Sequence, residues 1–304
     1  YPHWRTRLVD LESAAEWGLP DRPSPVIHQL LRLPPDSAGN AWAYRGGEWF
    51  RQELIPARDL AVEGQVYRKN GVYVVIGGAG GLGTVWSRLM IERYGAHIVW
   101  IGRRPKDAEI QAKLDDLARL GPPPLYVSAD ASDRLALQWA YAEIKRRYSR
   151  IHGVIHAAIV LQDKGLAGMD EARFRAGLAA KVDVCVRLAQ VFAHEDLEFT
   201  LFFSSAQSFA KSPGQSNYAA GCTFKDAFAK ALARHWHGRV KVMNWGYWGR
   251  AGIVSSPEYQ ERMQQAGIGS IEPEEGMAAL NNLLNGPVDQ IVLLKAANVA
   301  VGTP

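Results

Sequence analysis

The chain has 304 residues, of which 47% are apolar and 22% are charged, and its net charge is +4. This length suits one large α/β domain or a domain with an appendage, and the composition is ordinary for a globular enzyme. Because the small basic excess is spread along the chain, we expect no nucleic-acid groove. No apolar run approaches the ~18 residues that a membrane span needs, and no signal-peptide pattern is present. We therefore expect a cytoplasmic protein without a membrane partner.

Two cysteines, Cys185 and Cys222, stand outside any CxxC or Cys/His ligand pattern. We therefore expect neither a disulfide framework nor a metal site. The sequence begins with Tyr1 rather than methionine. We expect a piece of a longer polypeptide, with a trimmed chain as the alternative.

Residues 1–70 are rich in tryptophan and proline and differ from the remainder. Val26–Leu33 is a short apolar segment. Ala41–Tyr44 and Glu48–Leu54, joined through two glycines, predict a hairpin. Because this region is too short for a second dinucleotide fold, we expect a structural appendage over residues 1–70 and a catalytic domain over residues 71–304.

From Gly71 onward, strand and helix patterns alternate. The predicted strands are Val72–Ile76, His97–Ile101, Leu125–Ser128, Ile151–Ala157, Phe199–Phe203, Val240–Trp245 and Ile291–Lys295. The predicted helices are Val85–Tyr94, Asp107–Leu120, Leu135–Arg147, Ala172–Phe192 and Tyr218–His235. The alternation predicts an α/β fold, a Rossmann-like doubly wound parallel sheet with a small N-terminal structural appendage. Residues 249–271 predict a mobile lid that contains a helix.

A glycine-rich loop follows the first predicted strand. Two phosphate-loop spacings overlap in it, GxGxxG from Gly78 and GxxxGxG from Gly77. Such a loop turns tightly, approaches a pyrophosphate closely and opens a helix whose N–H groups are free. A flexible turn is the alternative. The predicted cofactor-binding residues here are Gly77, Gly78, Gly80, Gly81, Leu82 and Gly83.

The second strand leads into Gly102, Arg103 and Arg104, where an NAD enzyme usually has a carboxylate. Guanidinium groups suit a 2′-phosphate, so we predict NADPH; two solvated arginines are the alternative. The third strand is followed by Asp130 and Ala131. Asp130 is predicted either to accept from the adenine amino group or to cap the next helix.

The stretch FTLFFSSAQSFAKSPGQSNYAAGC at 199–222 places Ser205 at a strand end and Tyr218 at the start of the next helix. These two side chains can converge on one point. If a carbonyl lies there, Ser205 can hold its oxygen and Tyr218 can protonate it.

From Gly71 to about Asn298, the chain resembles a short-chain dehydrogenase/reductase, and specifically a ketoreductase domain of a modular polyketide synthase, most similar to the trans-acyltransferase type. The motifs that carry the resemblance are GGAGGLG at 77–83, GRR at 102–104, AD at 129–130, HAA at 156–158, Lys181, FSS at 203–205, GQSNYAA at 214–220 and NWGYW at 244–248.

The resemblance implies roles for three catalytic residues. Tyr218 is the proton donor to the ketone oxygen and Ser205 hydrogen-bonds that oxygen. Lys181, on the long predicted helix, holds the nicotinamide ribose and makes Tyr218 more acidic. Cys222 departs from the family, because asparagine usually stands four residues after the tyrosine. We expect it to be a small buried filler, with a reactive thiol as the alternative.

The resemblance also implies a substrate, a β-ketoacyl chain on the phosphopantetheine of an acyl carrier protein, with neighbouring synthase domains as partners. Ala157 and Ala158 lie under the cofactor, after His156, which we expect to be a packing residue. Leu161 and Asp163 match a signature of B-type enzymes, which give a D-hydroxyl; a turn cap is the alternative for Asp163.

Trp245 and Trp248 line an acyl pocket or form a structural aromatic cluster. Two other functions stay open: a redox-silent scaffolding or epimerising domain, and a free-standing reductase.

Overall fold

The structure is a computed structural model that describes residues 7–13, 18–19, 22–34, 40–57, 64–210, 212–249 and 257–296. The described residues up to Ala57 belong to one compact unit, and those from Gly64 to Ala296 belong to a second, larger unit.

The smaller unit contains a three-stranded sheet with the order β1-β4-β5. Its elements are β1 (Val9–Leu11), β2 (Gly18–Leu19), β3 (Arg22–Pro23), α1 (Pro25–Arg32), β4 (Trp42–Arg45) and β5 (Glu48–Arg51). The predicted hairpin is confirmed, since β4 and β5 are antiparallel. Gly46 and Gly47 form its turn with φ values of 56° and 90°, a backbone region that favours glycine.

The described part of the larger unit contains a seven-stranded sheet with the order β12-β11-β10-β9-β6-β7-β8. Its strands are β6 (Val72–Ile76), β7 (His97–Gly102), β8 (Leu125–Ser128), β9 (Gly153–His156), β10 (Phe199–Ser205), β11 (Arg239–Trp245) and β12 (Gln290–Leu293). Every neighbouring pair is parallel, which confirms the doubly wound sheet. The strand order reverses between β6 and β9, where ligands bind in such folds.

Helices cover the two faces of this sheet. They are α2 (Gly81–Tyr94), α3 (Ala108–Ala118), α4 (Arg134–Lys145), α5 (Glu171–Ala179), α6 (Val182–Val191), α7 (Gln207–Ala210), α8 (Ser216–Leu232), α9 (Pro257–Gln265) and α10 (Pro273–Asn285). Successive side chains of β6 enter opposite cores. Tyr73 lies in the core that contains Trp86, and Val74 lies in the core that contains Leu137. Among the described helices, none combines the length and apolarity that crossing a bilayer requires.

Two helices differ most from their predictions. The single helix predicted over Ala172–Phe192 is wrong, because α5 ends at Ala179 and α6 begins at Val182. Lys181 occupies the N-cap position between them, at φ −114° and ψ −49°. The segment has neither proline nor a glycine at this point, so its sequence carries no local signal for a break. Helix α2 begins at Gly81, four residues before the predicted start, because its first turn is part of the glycine loop.

Candidate active site

A cleft of about 620 Å³ lies where β6, β9, β10 and β11 end. Thirteen of the predicted site residues line it. They are Gly80, Gly81, Leu82, Gly83, Ala157, Ala158, Leu161, Asp163, Lys181, Ser205, Tyr218, Trp245 and Trp248. The structure therefore brings the glycine loop and the predicted catalytic residues to one cavity.

The glycine loop is shaped by positions that have no room for a side chain. Gly77 has a φ of 84°, and a Cβ there would lie 2.7 Å from the Ala158 backbone. A Cβ at Gly78 would lie 2.0 Å from the Trp100 ring, and one at Gly83 would lie 2.7 Å from Gly78. Glycine at 77, 78 and 83 is thus a steric requirement of the turn, and the small Ala158 completes the contact.

This loop fits a pyrophosphate. Helix α2 starts at Gly81, and no side chain caps its N-terminus. The first N–H groups of a helix have no partner within the helix, and the helix dipole favours negative charge there. Since Gly80, Gly81, Leu82 and Gly83 also line the cleft, a phosphate can reach these donors without meeting a side chain from the turn.

The residues predicted to select the cofactor lie outside the lining of this cleft. Arg103 and Arg104 follow β7 on the surface, and they differ in their contacts. Arg104 pairs with Glu109 at 3.2 Å and with Asp107 at 3.7 Å. No ion pair or hydrogen bond of the Arg103 side chain is found among the described residues, so its guanidinium is available to an anion.

Asp130 is held in a local turn. Its Oδ1 accepts hydrogen bonds from the backbone N of Ser132 at 2.9 Å and from its hydroxyl at 2.7 Å. The alternative that Asp130 caps the next helix is wrong, because Asp133 caps α4 by accepting from the Ala136 N–H at 2.7 Å. Ala131, beside it, is buried.

The predicted catalytic side chains come from three elements. Ser205 ends β10, Tyr218 lies in the first turn of α8, and Lys181 lies between α5 and α6. Lys181 is almost fully buried, and its Nζ lies 4.4 Å from the centroid of the Tyr218 ring. The side chain of Ser205 interacts with that of Tyr218. The three groups thus converge although they are separated along the chain.

Burial and charge act in opposite directions on the pKa values of Tyr218 and Lys181. Burial raises the pKa of the Tyr218 phenol above its ordinary value, and the Lys181 ammonium opposes that rise without cancelling it. The net rise in the pKa of Tyr218 is opposite to the expectation that Lys181 makes Tyr218 more acidic. Burial lowers the pKa of Lys181, but attraction to the negative forms of Tyr218 and Cys222 outweighs burial and raises it. At neutral pH the phenol therefore keeps its proton and the lysine keeps its charge.

Sequence reasoning missed Gly221, which makes room for Lys181. A Cβ at Gly221 would lie 2.7 Å from Cδ of the Lys181 side chain. The lysine stem therefore crosses α8 at a point where the helix has no side chain. Gly221 lies three residues after Tyr218, and residues i and i+3 lie on one helix face. This spacing was the sequence signal that Gly221 faces the site.

Cys222 and His156 are both fully buried behind the site. This burial agrees with the interpretation of Cys222 as a small filler. Burial, together with the cations Lys225 and Lys181, holds the pKa of His156 well below its usual value. His156 is therefore neutral, in keeping with a packing role.

A family model described as the KR domain matches residues 71–250. The chain belongs to the KR domain family of polyketide synthases. Two relatives come from Bacillus subtilis (strain 168). The chain is 56% identical over 298 residues to polyketide synthase PksN, covering 98% of this chain and 5% of PksN. It is 51% identical over 294 residues to polyketide synthase PksM, covering 97% of this chain and 7% of PksM.

The fold agrees with this membership. The chain is similar to a solved ketoreductase domain from the bacillaene assembly line, with a TM-score of 0.84 and 25% identity over 96% of this chain and 70% of that one. KR domains are oxidoreductases that use a nicotinamide cofactor, and the glycine loop fits the pyrophosphate of such a cofactor.

The loop after β9 carries the predicted stereocontrol residues of the KR domain. Oδ2 of Asp163 accepts a hydrogen bond from Gln215 Nε2 at 2.8 Å, and the carbonyl of Gln162 accepts one from Asn217 Nδ2 at 3.1 Å. The residues just before Tyr218 therefore hold the loop that contains Leu161 and Asp163. Sequence reasoning missed Gln215 and Asn217, although both lie within three residues of Tyr218.

Aromatic residues form the far side of the KR cleft. Trp245 and Trp248 are 4% exposed, and their rings meet edge to face with centroids 5.2 Å apart. The helix expected near Pro257–Gln265 is present as α9, and its Tyr259, Arg262 and Met263 line the cleft. Residues 250–256 of the predicted lid lie outside the described residues.

Proposed function

We propose that this KR domain is an NADPH-dependent reductase that converts the β-ketoacyl thioester of an acyl carrier protein to the β-hydroxyacyl thioester. The observation that carries the proposal is the convergence of Lys181, Ser205 and Tyr218 beside the glycine loop in one cleft. The relatives are named polyketide synthases, which supports a carrier-bound polyketide substrate. In this proposal the domain works in the cytoplasm beside other synthase domains.

Each residue has a defined part in this reaction. A nicotinamide cofactor, when bound, would provide the hydride for the carbonyl carbon. Ser205 donates a hydrogen bond to the carbonyl oxygen, and Tyr218 gives that oxygen its phenolic proton as negative charge develops. The Lys181 ammonium, 4.4 Å from the phenol ring, stabilises the phenolate that remains.

The NADPH preference is assigned to Arg103 first. Its exposed guanidinium is free to pair with a 2′-phosphate, whereas Arg104 is already engaged by Glu109 and Asp107. Among the described residues no hydrogen bond of Asp130 Oδ2 is found, so this oxygen would be open to the adenine amino group. The small side chains of Ala157 and Ala158 would leave room for the nicotinamide.

We assign the product a D-hydroxyl. Leu161 and Asp163 line the cleft, and Asp163 is fixed by Gln215, so this loop can bias the direction in which the acyl chain enters. Trp245 and Trp248 provide the apolar surface for that chain.

The test uses a β-ketoacyl thioester on an acyl carrier protein as the substrate. Turnover is measured by the loss of NADPH absorbance, and the configuration of the alcohol is determined by chiral analysis. Reduction with NADPH and a predominant D-alcohol are expected. A predominant L-alcohol contradicts the stereochemical assignment. NADPH binding without any turnover favours the redox-silent scaffolding or epimerising alternative.

A further inference from the structure

Helix α8, which carries Tyr218, also brings a lysine into the protein interior. Lys225 has no exposed surface, and its Nζ donates a hydrogen bond to the backbone carbonyl of Phe203 at 3.0 Å. Taking an ammonium group out of water is costly, and an apolar side chain would fill the same volume without that cost. Packing alone therefore does not account for the amine.

The next residue, Asp226, reaches the same strand through Asn244. Oδ2 of Asp226 accepts hydrogen bonds from Asn244 Nδ2 at 2.8 Å and from Gln290 Nε2 at 3.1 Å. Asn244 Nδ2 also lies 3.0 Å from the backbone carbonyl of Ser205, to which it donates. Gln290 Nε2 lies 2.8 Å from Asn244 Oδ1 and completes the network. Asp226 and Asn244 are both buried.

These contacts connect the two elements that carry the reacting hydroxyls. Ser205 is the last residue of β10, while Tyr218 lies about two turns before Lys225 on α8. Hydrophobic packing between a helix and a sheet is not directional, whereas hydrogen bonds have preferred distances and angles. The polar contacts therefore set the position of α8 along β10 more sharply than apolar contacts can.

We propose that Lys225 and Asp226 are positioning residues that set the distance between the Ser205 and Tyr218 hydroxyls. Both lie on α8, the helix of Tyr218. Lys225 binds the backbone carbonyl of Phe203, and Asp226 binds Asn244, which in turn binds the backbone carbonyl of Ser205. The proposal rests on the proposed reductase function. It assigns a role to two consecutive buried charged residues, neither of which is among the residues that line the cleft.

The charge on Lys225 depends on its buried neighbours. Lys181 faces it from the junction between α5 and α6, Cys185 from α6, Cys222 and Asp226 from α8 itself, and His156 from β9. Burial, with a further contribution from Lys181, lowers the pKa of Lys225 to about 7.

An unfolded lysine has a pKa of about 10.4, so between these two values the unfolded chain holds a proton that the folded chain lacks. Stability then rises with pH across this window, and the destabilisation by Lys225 is fully present below about pH 7.

The variant Lys225→Met removes the amine and keeps a side chain of similar length. We expect kcat to fall about 10-fold or more, with KM within about 2-fold, because a small misplacement of reacting groups is costly. We also expect the urea midpoint of unfolding at pH 6 to increase, because the buried charge is gone. A purely structural role predicts that kcat and stability fall together, so the opposite directions are diagnostic.

Lys241→Met is the matched control. Lys241 is also buried, and its Nζ donates to the carbonyls of Gly286 and Val288 and pairs with Asp289 at 3.0 Å, away from the end of β10. Its loss should lower the unfolding midpoint and leave kcat unchanged.

For Asp226, the variant Asp226→Asn keeps an acceptor oxygen and should retain more kcat than Asp226→Leu.

Wild-type kcat in Lys225→Met, or an equal loss of kcat in Lys241→Met, would overturn the proposal. Crystal structures of the wild-type and Lys225→Met proteins give a second readout, the distance between Ser205 Oγ and Tyr218 Oη. An unchanged distance overturns the positioning role even if the wild-type protein reduces no ketone. A changed distance in a protein without turnover supports positioning and refutes only the reductase function.

Discussion

The two walls of the cleft are built in different ways. The glycine-loop wall uses seven consecutive residues, 77–83, and its surface is backbone that side chains must not cover. The catalytic wall combines Lys181, Ser205 and Tyr218 from three separate elements, and its surface is side chain. Adding atoms to the glycine-loop wall should therefore impair cofactor binding and stability. Removing or displacing atoms in the catalytic wall should impair turnover. Three substitutions test this difference, and a fourth, in the arginines outside the cleft, tests the choice of cofactor.

Tyr218→Phe removes one oxygen from the catalytic wall. We expect kcat to fall about 10²–10⁴-fold, the usual contribution of a general acid, while NADPH binds with unchanged affinity. Steady-state absorbance measures the first quantity and fluorescence titration measures the second. Retention of wild-type turnover would remove Tyr218 from the mechanism.

Gly83→Ala adds one methyl group to the backbone wall. The new Cβ would lie 2.7 Å from the backbone of Gly78, so the turn must open. We expect a loss of about 1–3 kcal/mol in the free energy of unfolding, typical of overpacking, and weaker NADPH binding. The control is Gly165→Ala, since a Cβ at Gly165 meets nothing within 4 Å. Equal urea midpoints for the two variants would show that the turn tolerates side chains.

Gly221→Ala tests whether a displaced Lys181 side chain lowers turnover. The new methyl group would lie 2.7 Å from Cδ of Lys181, which is flexible and can move. We expect kcat to fall about 10-fold, because displaced reacting groups lose rate steeply, with little change in the unfolding midpoint. Ala220→Ser, on the exposed face of the same helix, is the control. An unaffected kcat in Gly221→Ala would mean that Lys181 does not need this crossing.

The arginines after β7 should affect the choice of cofactor and leave the chemical step unchanged. Arg103→Ala removes a guanidinium that has no partner among the described residues, so the ratio of NADPH to NADH affinity should fall about 10-fold, the equivalent of one charge-assisted hydrogen bond. Arg104→Ala should change this ratio less, because Glu109 and Asp107 already hold Arg104. Titration with both cofactors measures the ratio. A larger loss in Arg104→Ala would reverse the assignment.

Local patterns predicted the strands of the large sheet and the hairpin of the small one, because alternation and turn glycines act over a few residues. The same patterns missed α10, although Glu272, Pro273 and Glu275 mark its start and the apolar positions Met277 and Leu280 follow it. That omission was avoidable, since a capping box and a proline in the first turn are local signals.

The sequence by itself determined the parallel α/β fold and the glycine turn, because these depend on short-range periodicity and on a local glycine pattern. The family resemblance singled out Lys181, Ser205 and Tyr218, and their catalytic roles stay a prediction. Only the tertiary structure decided that the helix breaks at Lys181, that Gly221 lets this lysine cross α8, and that Lys225 and Asp226 reach the end of β10. The reason is physical. These contacts join residues that are distant along the chain, and their free energy depends on burial and hydrogen bonds that exist only after the helices pack on the sheet.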